Sequence, residues 1–74
     1  MSASPVVVVR ALWEGLVLSE REFTEEQDAT AWAYFRSSEV RYRNSDDGGG
    51  VTVQMSRIDS GEVLAETYIP EERA

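Results

Sequence analysis

The stretch VVVVRALWEGLVLSERE, residues 6–22, decides the fold of this chain. Four consecutive Val are stiff at χ1 and favour extended backbone, so residues 6–13 read as a strand. By alternation Val6, Val8 and Leu12 point to one side, and Val7, Val9, Ala11 and Trp13 to the other. That is more apolar surface than a strand with one wet face carries. Both faces are therefore expected to be covered, with the strand central in a sheet or at a dimer seam. Glu14-Gly15 supplies a turn, weaker than Asn-Gly, and residues 16–22 resume with Leu16 and Leu18 opposite Val17, which predicts a hairpin.

Working outward, Thr24 followed three residues later by Gln27 is a capping box. Glu25, Glu26 and Asp28 complement the positive end of a helix dipole, so a helix is predicted to begin at Thr24. Ala31, Trp32 and Phe35 form its apolar stripe, and Ser37-Ser38 marks its predicted end. Val40 and Tyr42 then alternate with Glu39, Arg41 and Arg43, which reads as a strand. The run from Asn44 to Gly50 reads as a mobile loop. Val51, Val53 and Met55 against Thr52, Gln54 and Ser56 predict another strand, Asp59-Ser60-Gly61 a turn, and residues 63–69 the last strand before Pro70. The predicted architecture is α+β, in the order β-β-α-β-β-β: a mostly antiparallel sheet with one helix packed on one face. Trp13, Trp32, Phe23 and Phe35 are the predicted aromatic core.

Seventy-four residues make one compact domain spanning 1–74, with 1–4 and 71–74 expected to fray. A chain of this size buries only about 60% of the surface its unfolded form exposes. With no Cys or His to staple it, stability must come from packing or assembly. Residues 1–9 have no basic n-region and Arg10 ends the Val run. The expectation is a cytoplasmic protein with neither export signal nor membrane association.

The chain carries 14 Asp and Glu against 7 Arg, with no Lys, no His and no Cys, for a net charge of -7. No side chain titrates readily near pH 7, and there is neither thiolate nor amine nucleophile, so an enzyme is not expected. The same charge argues against direct nucleic-acid or anionic-membrane binding, which need clustered cations, and favours a basic protein partner. Residues 14–28 hold six acids and one Arg, and residues 46–74 seven acids and two Arg. Acids of this kind keep a small protein soluble and cap its helix, but neither task requires twice as many acids as Arg. Glu20 and Glu22 project to one side of a strand about 6.7 Å apart, close to two phosphate steps along DNA, and Glu25, Glu26 and Asp28 continue the line. These five are the first candidate partner-binding patch. Asp46 and Asp47 are the second, and Tyr34, off the buried stripe, is the candidate anchor.

Other motifs resolve to structure. An EF-hand loop opening at Asn44 would put Gly48 at the third ligand and Met55 where the bidentate Glu belongs, so no metal is expected. The triple glycine lacks the Lys and Ser or Thr of a phosphate-binding loop, and no cofactor is expected. Arg41 and Arg43, with Arg36 nearby, form a cationic cluster expected to pair with Glu39, Glu62 or Glu66.

In size, acidity and compact α+β plan the chain resembles small phage or mobile-element inhibitors, notably acidic anti-CRISPR proteins. No diagnostic motif carries this resemblance. It implies a stoichiometric inhibitor and possible DNA mimic that occupies the basic surface of a CRISPR effector or another nucleic-acid-binding complex. The rival reading is a structural or homodimerising module, with no nucleic-acid-related role, that assembles through its Val-rich strand or an open sheet edge.

Overall fold

A computed structural model describes residues 4–46 and 48–71. The chain forms β1 (Pro5–Trp13), β2 (Leu16–Thr24), a short 3-10 turn (Glu25–Gln27), α1 (Asp28–Arg43), β3 (Val51–Arg57) and β4 (Val63–Ile69). The four strands make one antiparallel sheet in the order β2-β1-β3-β4, and α1 lies across one face. This is the α+β class, built from two hairpins joined through the helix.

The Val-rich strand is central, paired to β2 on one side and β3 on the other. Val7, Val9 and Ala11 face the helix and join Phe23, Val51, Val53, Met55, Ile69, Ala31 and Phe35 in the core. Val8, on the opposite face between Glu22 and Ser56, is only 2% exposed, whereas Arg10 and Leu12 on that face are half-buried, so the second side of the strand is covered only in part. Val6 departs from the simple alternation. A register shift between Pro5 and Val7 adds an extra residue, and Val6 packs against the helix-side core instead of sharing the face of Val8. Glu14 and Gly15, at φ 50° and 82°, form a two-residue turn with both residues left-handed, the twist that a tight hairpin needs.

The open face is kept wet by one polar row. Glu20, Arg10, Gln54 and Glu66 stand opposite one another across all four strands. Arg10 pairs with Glu20, and Gln54 donates to the Glu66 carboxylate at 2.8 Å. Such cross-strand pairs let an antiparallel sheet expose a face without a second layer.

One predicted strand is absent. Residues 39–43 are the last turns of α1, which runs to Arg43 past Ser37 and Ser38. The period-two pattern there is overridden because Ala31, Phe35, Ser38 and Tyr42 fall at helical spacing along the inward stripe, with Ser38 buried and Tyr42 half-buried. Val40 is exposed, Arg43 pairs with Glu39 one turn back at 2.8 Å, and Arg41 and Arg43 sit where the helix dipole favours cations. The sheet therefore has four strands and the order is β-β-α-β-β.

Two of the expected core aromatics are less buried than predicted. Trp13, the last residue of β1, is 37% exposed and lies against Gly50, and Trp32 is half-buried, meeting Phe35 edge-on at 6.2 Å. The glycine run is packed as well as turned. A Cβ on Gly48 would fall 1.8 Å from the Tyr42 carbonyl oxygen, and one on Gly49 would fall 2.8 Å from Glu71 Cα. Of the frayed ends expected at 1–4 and 71–74, residues 1–3 and 72–74 lie outside the described residues, while Ser4 and Glu71 are exposed. Among the described residues no helix is long and apolar enough to cross a membrane.

Candidate partner-binding surface

Strand register gathers acids at one end of the sheet. Val7 stands opposite both Phe23 and Arg57, so the end of β2, the end of β3 and the start of β4 all meet there. β2 runs into the helix with no intervening loop: the Thr24 backbone N–H donates to Gln27 Oε1 at 2.9 Å and the Thr24 hydroxyl to the same oxygen at 3.2 Å. Glu25, Glu26 and Asp28 follow in that first turn, all exposed. From the other hairpin comes the β3–β4 turn, closed by Gly61 N–H donating to the Arg57 carbonyl at 2.9 Å and bringing Asp59 and Glu62.

Arg57 sits among these carboxylates. Its Nε and Nη2 reach the two Asp59 oxygens at 3.3 and 3.4 Å. That hydrogen bond and then the Asp59 charge raise the Arg57 pKa, with Glu62 and Glu25 adding to the effect against partial desolvation. The same hydrogen bond to Arg57 holds Asp59 below the ordinary carboxylate value. Between helix and sheet at this end lies a cleft of about 120 Å³, floored by Val6, Val7, Ala31 and Leu64 and rimmed by Thr24, Glu25, Asp28 and Arg57. It is well short of the 300 to 1,000 Å³ typical of small-molecule pockets.

The predicted patch is thus divided. Glu22, Glu25, Glu26 and Asp28 belong to this end. Glu20 lies on the open face, in the polar row and paired to Arg10. Tyr34 is half-buried on the flank of the helix over β2, its ring 5.5 Å from that of Phe23, and the Arg21 guanidinium lies 5.3 Å from the Phe23 centroid and 5.5 Å from the Tyr34 centroid. Asp46 is exposed in the loop that enters β3 beside Trp13 and Ile69, at the far end of the sheet, and Asp47 lies outside the described residues. Arg36, Arg41 and Arg43 are all on α1, not on a strand.

Asp59, Glu62 and Arg57 are the members of the acidic end that sequence reading missed. Their proximity to Glu25 is set by the pairing of β1 with β3, which spans the whole helix. The signal in the sequence is the Asp59-Ser60-Gly61 turn together with the order of the two hairpins. Among the described residues no group of three or more His, Cys, Asp or Glu is placed to hold a metal ion. Comparison with protein-family models, curated proteins and solved structures found no match.

Proposed function

We propose that this chain is a non-catalytic acidic binding protein that occupies the basic, nucleic-acid-binding surface of a partner protein, in the manner of small anti-CRISPR inhibitors. The observation that carries this reading is the gathering of Glu22, Glu25, Glu26, Asp28, Asp59 and Glu62 from both hairpins at one end of the sheet. Among the described residues the cations beside them are Arg57, engaged by Asp59, and Arg21, laid over Phe23 and Tyr34. An array of one sign steers a partner of the other sign and accelerates encounter. Half-buried Tyr34, flanking the array, supplies the kind of rigid aromatic contact on which specificity rests. The chain mimics nucleic acid only in charge and spacing; it contacts the protein and not the nucleic acid.

The test is competition. Purified CRISPR effectors and other nucleic-acid-binding complexes are loaded with labelled DNA, and bound DNA is followed as the chain is added at low and moderate salt. The reading expects one such complex to release DNA, with an effect that weakens as salt rises over a Debye length of about 8 Å at physiological ionic strength. Replacing Glu22, Glu25 and Glu26 together by Arg should abolish that release while the fold survives, because all three are exposed. Release by the folded triple variant equal to that by the parent rejects this surface.

A further inference from the structure

Both outer strands, β2 and β4, present an open edge, but they are protected unequally. β2 opens with exposed Leu16, Val17 and Leu18, but Glu20, Arg21 and Glu22 follow along it and its pairing is kinked by register shifts at Ala11/Leu12 and Pro5/Val7. Charges and bulges of this kind keep an edge from pairing with another chain. β4 carries one charge, Glu66, already bonded by Gln54; its one register shift falls at its start, between Val63 and Ala65, and from Ala65 to Ile69 the pairing is unbroken. Val63, Leu64 and Tyr68 along it are exposed.

The direction of the free groups can be read from the end of the strand. The Ile69 carbonyl turns inward and accepts from Gly50 N–H at 2.7 Å. By alternation Thr67 also addresses β3, and the backbone N–H and C=O of Glu66 and Tyr68 point away from the sheet. We propose that β4 pairs antiparallel with β4 of a second copy of this chain, about a two-fold axis at Thr67, so that one continuous sheet runs through both molecules.

Among registers centred on Glu66, Thr67 or Tyr68, charge and hydrogen bonding at Glu66 favour Thr67. With Glu66 on the axis, two like carboxylates oppose each other directly, which destabilises a strand pair. With Tyr68 on the axis, Glu66 meets Pro70, which has no N–H to donate. With Thr67 on the axis, Glu66 of each copy meets Tyr68 of the other. Each such pair exchanges both of its outward hydrogen bonds and sets a phenol donor beside a carboxylate. On the helix side Thr67 then faces Thr67, and Ala65 faces Ile69. This arrangement also separates the charge of two chains at -7 each, because β4 begins at the acidic end and antiparallel pairing sends the two acidic ends in opposite directions.

The experiment is sedimentation velocity of the full chain from micromolar to millimolar concentration, with circular dichroism to confirm folding. The parent should reach twice the chain mass. Tyr68→Glu, at a position 58% exposed, sets Glu against Glu66 across the axis and should return the protein to a folded monomer. Adding Glu66→Lys to that variant creates two Lys–Glu pairs and should restore the dimer. A parent that stays monomeric throughout, a folded Tyr68→Glu variant that still dimerises, or a folded double variant that does not recover overturns the proposal. Reversing Glu22, Glu25 and Glu26 to Arg should leave the mass unchanged, so failure here is distinct from failure at the acidic end.

Discussion

Replacing Gly48 by Ala tests whether the glycine run is a packed joint or a slack connector. The new Cβ would stand 1.8 Å from the Tyr42 carbonyl oxygen and 2.6 Å from its carbon, both backbone atoms of the last helical turns. Real Cβ contacts essentially never fall below 3.0 Å, so helix and loop must separate by about 1.2 Å or more. Gly48 is buried and the colliding atoms belong to backbone, so no rotamer change relieves the clash. Overpacking of this kind costs about 1 to 3 kcal/mol, and the absence of a flexible partner places Gly48→Ala at the upper end. At about 0.05 to 0.15 kcal/mol per residue, a chain of 74 residues has a margin of only about 4 to 11 kcal/mol. At about 3 kcal/mol the loss should therefore lower Tm by roughly 12 to 24 °C, at about 4 to 8 °C per kcal/mol for a domain of this size. Gly15→Ala separates the two effects: Gly15 has φ 82° and nothing within 4 Å of an added Cβ, so it should show only the left-handed backbone penalty of about 1 to 2 kcal/mol. Thermal melts followed by circular dichroism read both variants. A Gly48→Ala protein that melts with the parent, or above Gly15→Ala, would refute the packing argument.

Three further outcomes follow from burial and charge. Phe35→Ala removes a buried ring and should cost about 3 to 5 kcal/mol, and Trp32→Ala should cost less because its ring is only partly buried; urea titrations giving the reverse order would sink this assignment. Asp59 should titrate below its ordinary value of 3.8 in NMR spectra, and Arg57→Gln should bring the midpoint back up; an unmoved midpoint would remove the hydrogen bond as the cause. Because the folded-state value is the lower one, the stability this pair adds is present above the unfolded value and is lost as pH falls through the depressed folded value. Both groups are exposed and screened, so the acid limb of a stability curve should shift only slightly when Arg57 is replaced.

Sequence reading recovered the parts of the fold encoded over a few residues. The capping box at Thr24 and Gln27, the Glu14-Gly15 turn and the β-branched run of β1 each act through neighbouring backbone, and each is present. Residues 39–43 imitate a strand because Val40 and Tyr42 satisfy an alternating pattern over five positions, although they lie in α1. Only the longer series from Ala31 through Phe35 and Ser38 to Tyr42 reveals the helix that overrides it. Trp13 belongs by alternation to the core-facing set of β1, but as the last residue of the strand, beside a tight turn, it stays 37% exposed. The acidic end was half legible. Glu22 to Asp28 are contiguous in sequence, whereas Asp59 and Glu62 arrive through pairing between strands separated by the helix.

Thr24 is at once the last residue of a strand and the cap of the helix that follows, and this shared membership sets how stiff the acidic end is. Ordering a free backbone residue costs about 1 to 2 kcal/mol, a penalty that a partner must overcome when its target is a loop. Here the sheet ladder holds Glu22 and the Gln27 amide ties down the turn that carries Glu25 and Glu26, so that entropy has already been surrendered on folding. Under the proposed function, carboxylates on such a frame would act as a ruler: a partner whose cations are spaced to match would gain the full interaction, and one whose cations are equally numerous but differently spaced would have to deform itself.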